Sequence, residues 1–191
     1  MIYNHNVKII AFVGLAGSGK STATDYITEK GFPKVYFGGV IFDKMKEANI
    51  EINPENEKSF REELRAKEGN DFVVKTIASQ MHSLIYAGQH QIVADGLYSW
   101  TEYKYLKHEF AGDLTVVAVV APKKLRHRRL LNRPIRPFSQ FEVDQRDWSE
   151  IENLEKGGPI AIADHYIMND GDIEKLHQSV DAILSEIEFI S

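Results

Sequence analysis

The 191-residue sequence contains no cysteine. Disulfides, thiolate zinc sites and a cysteine nucleophile are therefore excluded. No apolar run approaches the roughly 20 residues that span a bilayer. No signal peptide is evident, because residues 1–7 are polar and the apolar run after them is short and ends in glycine. A cytoplasmic protein with no membrane partner is the expectation. Excess positive charge is missing too: the formal net charge is −5, so no global attraction draws the chain to nucleic acid. Internal repeats and low-complexity linkers are absent, and nothing marks a dimer surface. The length favours one domain.

What is present is an alternation of short apolar runs with longer amphipathic ones. Residues 8–13 read as a buried strand that stops at Gly14, and helical spacing follows from Gly19 to Lys30. A second strand is predicted at 35–37, closed by Gly38 and Gly39. Helices are predicted at 41–49, 55–67 and 71–86. Strands follow at 91–94, running into Asp95-Gly96, and at 114–120, which is apolar on both faces apart from Thr115. Pro122 suits the first position of the next helix, where its missing N–H costs nothing. The Pro134 and Pro137 pair breaks that helix, Ser139 and Glu142 form a capping-box pattern, and Gly157-Gly158-Pro159 ends the region. A last strand at 166–168 and a helix from Asp172 complete the chain. Buried strands alternating with helices predict an α/β fold, a parallel sheet covered by helices on both faces. Ligands in such folds sit at the carboxyl ends of the strands.

One such end carries Gly14, Leu15, Ala16, Gly17, Ser18, Gly19, Lys20 and Ser21, the pattern G-x-x-x-x-G-K-[ST]. The glycines let the backbone curl so that successive N–H groups point at phosphate oxygens, and the following helix adds its positive end. Lys20 then bridges the outer phosphates and the Ser21 hydroxyl joins a Mg²⁺ shell, with Thr22 next in line. A strand before and a helix after are the context a phosphate loop requires. ATP and Mg²⁺ are the expected cofactors.

Asp95 closes a buried strand, where a P-loop protein places the carboxylate that organises its metal; the alternative is a turn or the cap of the next helix. A cationic cluster follows: Lys123, Lys124, Arg126, Arg128, Arg129, Arg133, Arg136 and Arg146. Helical spacing groups Arg126, Arg129 and Arg133 near one face. Arginines folded over a transferred phosphoryl group offset its developing charge. The flanking prolines suit a hinged lid at about 133–150 better than a flat nucleic-acid face, which would also need interleaved aromatics. The seven histidines lack ligand spacing. Most of the aromatics after Asp95 read as core, although Tyr98 or Trp100 can line an acceptor pocket.

The phosphate loop, the strand ending in Asp95-Gly96, the arginine-bearing helix and the late stretch from Ala163 through Asp164, His165, Tyr166, Ile167, Met168, Asn169 and Asp170 to Gly171 resemble the adenylate-kinase-like P-loop kinases. Within that group the likeness is to dephospho-CoA kinase and a related archaeal kinase family. The resemblance covers most of the chain. It implies a three-layer P-loop fold with a parallel five-stranded sheet, an acceptor-side helical region at about 39–88 and a small lid. It also implies that Arg129 stacks on the ATP base, that Arg133 reaches phosphate, and that Arg136 and Arg146 face the transferred group. Asn169 to Gly171 would lie near the adenine. Lys20, Asp95, Arg133, Arg136 and Arg146 are thereby the catalytic candidates.

The acceptor half departs from the family pattern. Adenylate kinases place arginines after the second strand and after the Asp-Gly turn; here those positions hold Phe42 and Ser99. The aspartate that dephospho-CoA kinases carry after the second strand is missing, since the turn reads Phe37-Gly38-Gly39 and the nearest acid is Asp43. A phosphate acceptor needs cations, which Arg61 or Arg65 can supply, whereas a hydroxyl acceptor needs a base, for which Asp43 or Asp95 is available. Three readings stand at this level: a kinase acting on a nucleotide-like acceptor, with dephospho-CoA first; a nucleoside or deoxynucleoside monophosphate kinase; and an ATP-binding regulatory protein without acceptor chemistry.

Overall fold

A computed structural model describes residues 6–134 and 137–190. Five parallel strands form one sheet: β1 (Lys8–Val13), β2 (Lys34–Tyr36), β3 (Gln91–Asp95), β4 (Leu114–Val120) and β5 (His165–Met168), in the order β2-β3-β1-β4-β5. Between and around them run α1 (Lys20–Glu29), α2 (Phe37–Glu47), α3 (Pro54–Glu68), α4 (Phe72–Tyr86), α5 (Trp100–Glu109), α6 (Lys123–Leu131), α7 (Gln140–Glu152), α8 (Gly157–Ala161) and α9 (Ile173–Glu186). The α/β class, the parallel five-stranded sheet and the helices on both faces agree with the sequence reading.

The period of two along each strand divides the core. Ile9, Ala11 and Val13 of β1 join Ile92, Ala94, Val116 and Ala118 on the face covered by α4 and α5, where Val74, Ile77, Met81 and Leu106 are buried. Ile10 and Phe12 face the other way with Val93, Val117 and Val119, against Ala23 and Ile27 of α1 and Leu176, Val180 and Leu184 of α9. A third, smaller cluster of Ile41, Met45 and Leu64 ties α2 to α3, with Phe60 and Phe72 beside it. The sheet is thus clamped between two helical layers, and α2–α3 lean on it through their own contacts.

Beyond shifts of one residue at several ends, the structure departs from the sequence reading at α2, α5 and α8. Helix α2 starts at Phe37 rather than at 41, so Gly38 and Gly39 lie in its first turn. The Tyr36 ring covers that turn, and a Cβ on Gly38 would come within 2.5 Å of its hydroxyl. Glycine therefore serves close approach here, and the buried Phe37 side chain anchors the helix start. Helix α5 was not predicted, although Ser99 and Glu102 form a complete capping box at its start. Gly157-Gly158-Pro159 does not end a region but opens the short α8, which packs on α5 and β4. The predicted box of Ser139 and Glu142 does cap α7.

Candidate functional site

The carboxyl ends of β1 and β3 lie side by side, in register from Lys8↔Gln91 to Phe12↔Asp95. That pairing brings the loop after β1 against the last residue of β3. Lys20 Nζ donates to Asp95 Oδ1 at 2.5 Å, with both side chains largely buried. Gly17 holds φ +78°, and a Cβ there would come within 2.7 Å of the Arg126 carbonyl oxygen, so both its backbone angle and its close packing require glycine. The loop is pinned from outside. Arg126 Nη1 donates to the Ala16 carbonyl at 3.1 Å, and the Asn169 amide donates to the Ser18 carbonyl at 2.7 Å. The buried Ser18 hydroxyl has no hydrogen-bond partner among the described residues.

Above the loop opens a cleft of about 440 Å³, lined by Gly14, Ala16, Lys20 and Ser21 from below and by Arg133, Phe138, Arg146, Glu150 and Lys156 from above. Helix α7 forms the upper wall. Its Asp147 accepts from Arg126 at both carboxylate oxygens, at 2.6 and 2.8 Å, and His127 Nε2 completes the cluster at 2.9 Å. Burial works against the Asp147 charge, but the bonds from Arg126 and His127 hold its carboxyl below the usual range. One turn on, Glu150 accepts from the Ala16 amide at 2.8 Å, from Lys156 at 2.7 Å and from Arg146 at 3.0 Å. Burial opposes its ionisation too, yet the two cations and these bonds keep its carboxyl low. Burial brings the Lys156 ammonium down to about 8, against the pull of Glu150.

A second cleft adjoins the first. It is lined by Tyr36, Gly38, Phe42, Glu57, Arg61, Arg65, Tyr98, Glu102 and Arg146. Arg61 pairs with Glu57 one turn earlier on α3. Arg65 has no carboxylate within ion-pair distance among the described residues. Its guanidinium is partly desolvated and faces Arg61, and both effects work against its charge. Buried Glu102 is spent on capping, since one of its oxygens accepts from the Tyr98 and Ser99 amides. Burial pushes the Tyr98 hydroxyl far above its ordinary range.

The residues singled out from sequence fall into three groups. Gly14, Ala16, Gly17, Lys20, Ser21, Tyr98, Arg133 and Arg146 line the first cleft, and Gly38, Arg61 and Arg65 line the second. Arg129 lies along the loop's outer side, 3.4 Å from the carbonyls of Gly17 and Ser18 and from Asn169. Gly19 caps α1, Thr22 is exposed on that helix, and Gly171 is exposed just before α9. Asp43 does not join either cleft: its side chain is 67% exposed and pairs with Lys46 on the same helix face. Starting α2 at Phe37 turns that position outward. Arg136 lies outside the described residues. Glu57, Glu150 and Lys156 were missed. The spacing of Arg146 to Glu150, four residues on one helix, was the available signal for the second of them.

The fold and this site define a P-loop protein. Residues 10–146 match the AAA domain family, a P-loop family. The chain also belongs to the UPF0200 family. It is 33% identical over 186 residues to the UPF0200 protein of Sulfurisphaera tokodaii, covering 95% of this chain and 98% of that one. It is 30% identical over 182 residues to the UPF0200 protein of Thermococcus gammatolerans, covering 94% and 95%. Among solved structures, shikimate kinase from Acinetobacter baumannii in complex with shikimate shares the fold at TM-score 0.57 and 18% identity, covering 96% of this chain and 94% of that one. A gluconokinase from Sinorhizobium meliloti does so at TM-score 0.57 and 15% identity, with the same coverages of 96% and 94%. Among the described residues no helix is long and apolar enough to cross a membrane.

Proposed function

We propose that this protein transfers the terminal phosphoryl group of ATP to a small acceptor that carries an anionic group. The observation behind this reading is a shared wall. Glu57, Tyr98 and Arg146 line both the phosphate-loop cleft and the arginine cleft. A donor held at the loop and an acceptor held by Arg61 and Arg65 therefore meet at Arg146. Proximity of this kind is the main thing a phosphotransferase must supply, because the protein performs little covalent chemistry itself.

The residues fit ATP. The loop offers curled backbone N–H groups, an unpartnered buried Ser18 hydroxyl and the start of α1. Lys20 lies at the loop's edge, where it can pass from Asp95 to an outer phosphate. For the metal, Ser21 and Asp95 would supply part of a shell. Among the described residues no three acidic or histidine side chains cluster to hold an ion by themselves. Such a sparse set suits Mg²⁺, which keeps several waters and binds through phosphate oxygens; when bound it would neutralise charge on the transferred group. Arg133 and Arg146 act on that same charge from the upper wall.

For the acceptor, Arg65, which has no ion pair among the described residues, and Arg61 beside it favour a molecule bearing phosphate or carboxylate, held as a guanidinium holds such groups best. Dephospho-CoA and nucleoside monophosphates both meet that description. The solved structures of like fold include a shikimate kinase and a gluconokinase, which adds carboxylate-bearing hydroxyl acceptors to the same class. The test is to incubate the protein with ATP and Mg²⁺ against dephospho-CoA, nucleoside monophosphates, nucleosides and small hydroxy acids, reading products by mass spectrometry. ADP and one phosphorylated acceptor are expected, both lost in Lys20→Ala. ATP binding with no acceptor phosphorylated across the panel would favour the regulatory reading.

A further inference from the structure

The phosphate loop is met by an anion that belongs to the protein itself. Glu150 Oε2 accepts from the Ala16 amide at 2.8 Å, while Oε1 accepts from Lys156 at 2.7 Å and from Arg146 at 3.0 Å. The Glu150 side chain is 1% exposed and that of Lys156 4%. A backbone amide in such a loop is an anion donor by construction. Glu150 thus makes the three kinds of contact a phosphate oxygen would make there: a loop amide, a lysine and an arginine. A carboxylate and a phosphate oxygen cannot both take the Ala16 N–H, and placing two anions together in a shielded cleft is strongly unfavourable.

On the reading of residues 14–21 as an ATP site, we propose that Glu150 is an internal stand-in for a nucleotide phosphate, displaced when ATP binds. In the nucleotide-free protein it neutralises Lys156 and Arg146, which would otherwise repel each other and Lys20 across the cleft. ATP takes over the Ala16 amide, and the two cations pass to its phosphate. Lys156 thereby becomes a phosphate ligand, contributed from the segment just before α8. The loop keeps its shape during the exchange, because its other grip is separate: Arg126, locked to Asp147, holds the Ala16 carbonyl from outside the cleft.

A tethered carboxylate competes at high effective concentration, so every ligand that must take the Ala16 amide from Glu150 is weakened by a similar factor. Pyrophosphate, a bare phosphate anion, meets the same competition as the phosphates of ATP.

Two variants test this by calorimetric titration with Mg-ATP and with pyrophosphate. Glu150→Gln removes the competing charge. Glu150→Asp keeps a charge beside Lys156 but falls short of Ala16 by one methylene, so it remains informative if the Gln variant folds poorly. Loss of one competing charged hydrogen bond predicts ATP binding about ten-fold tighter in both variants, with a similar gain for pyrophosphate. Emission from Trp148, exposed two residues away on α7, should change on ATP addition to the wild type. Unchanged or weaker ATP affinity in the folded variants overturns the proposal. So does lost turnover at unchanged affinity, which would make Glu150 a base. A wild type that binds no ATP at all would instead bring down the nucleotide reading of the loop, an outcome distinct from both.

Discussion

The two clefts are built in different ways. The phosphate-loop cleft rests on the centre of the sheet: its floor is the end of β1, its acid the end of β3, and its loop is pinned by Arg126 of α6 and by Asn169 just past β5. The arginine cleft rests on α2, which enters the sheet's core through Phe37 and Val40, and on α3, which is held to α2 by a small cluster of Ile41, Met45 and Leu64. Backbone amides do much of the work in the first; long side chains do nearly all of it in the second. A site of fixed dipoles suits the part of a reaction that never changes, the ATP phosphates. Arginine side chains on α3, a helix held off the sheet by α2, suit the proposed acceptor, a ligand met by reach and not by fixed backbone.

The most damaging way to probe that contrast is at the first cleft. Lys20→Ala removes the charge that Asp95 holds at 2.5 Å and that the outer phosphates require. Product formation in the mass-spectrometric assay should fall by about 10³-fold or more, at every acceptor alike. An acceptor-dependent loss would mean that the two clefts are not separable.

Arg146 stands on the shared wall, so its removal should affect both halves. Arg146→Ala is expected to lower kcat by about 10³-fold, in the range of arginines that stabilise transferred phosphoryl groups, and to alter ATP affinity much less. Steady-state kinetics with the acceptor from the panel measures both. Unchanged turnover would remove Arg146 from the reacting centre and leave it only as a partner of Glu150.

Arg65 gives the complementary result. It lines the second cleft and not the first. Arg65→Ala should raise the acceptor KM by about 10–100-fold, the worth of one charged hydrogen bond, while ATP affinity stays within two-fold. If ATP binding weakens as much as acceptor binding, the second cleft is not an acceptor site.

This contrast also explains what could be read from the sequence. The residues of the proposed donor site lie mostly within one short segment, because a strand–loop–helix turn needs particular residues at consecutive positions; that Gly14 to Ser21 would meet the Asp95 strand end could be read for that reason. The sheet was legible because its strands are apolar on both faces. Asp43 was named as the nearest acid after β2, but α2 begins at Phe37, which leaves that side chain exposed and paired with Lys46. Glu150 and Lys156 reach the loop from more than 130 positions away, as the separation of 134 between Ala16 and Glu150 shows. Only the folding of α7 over the cleft brings them there. Arg61 and Arg65 were named as spare cations, but their surroundings came from the structure: Arg61 pairs with Glu57, while Arg65 has no ion pair among the described residues, although the charges of Glu102 and Glu62 act on it.

The smallest effect expected is a pH dependence, and it tests whether Lys156 belongs to the donor half. Burial brings its ammonium down to about 8 in the nucleotide-free protein, with Glu150, Arg146, Lys20 and Tyr98 as its neighbours. A bound phosphate favours the protonated form, so the lysine of the complex titrates at higher pH than that of the free protein. Binding then takes up a proton once pH exceeds the lower value. ATP affinity should therefore be flat below about pH 8 and weaken by a few-fold over the next unit. Lys156→Arg stays charged throughout this range and should remove the dependence. Titrations at several pH values, at constant ionic strength, separate the cases. A slope that persists in Lys156→Arg would assign the proton to another group and return Lys156 to a structural role beside Glu150.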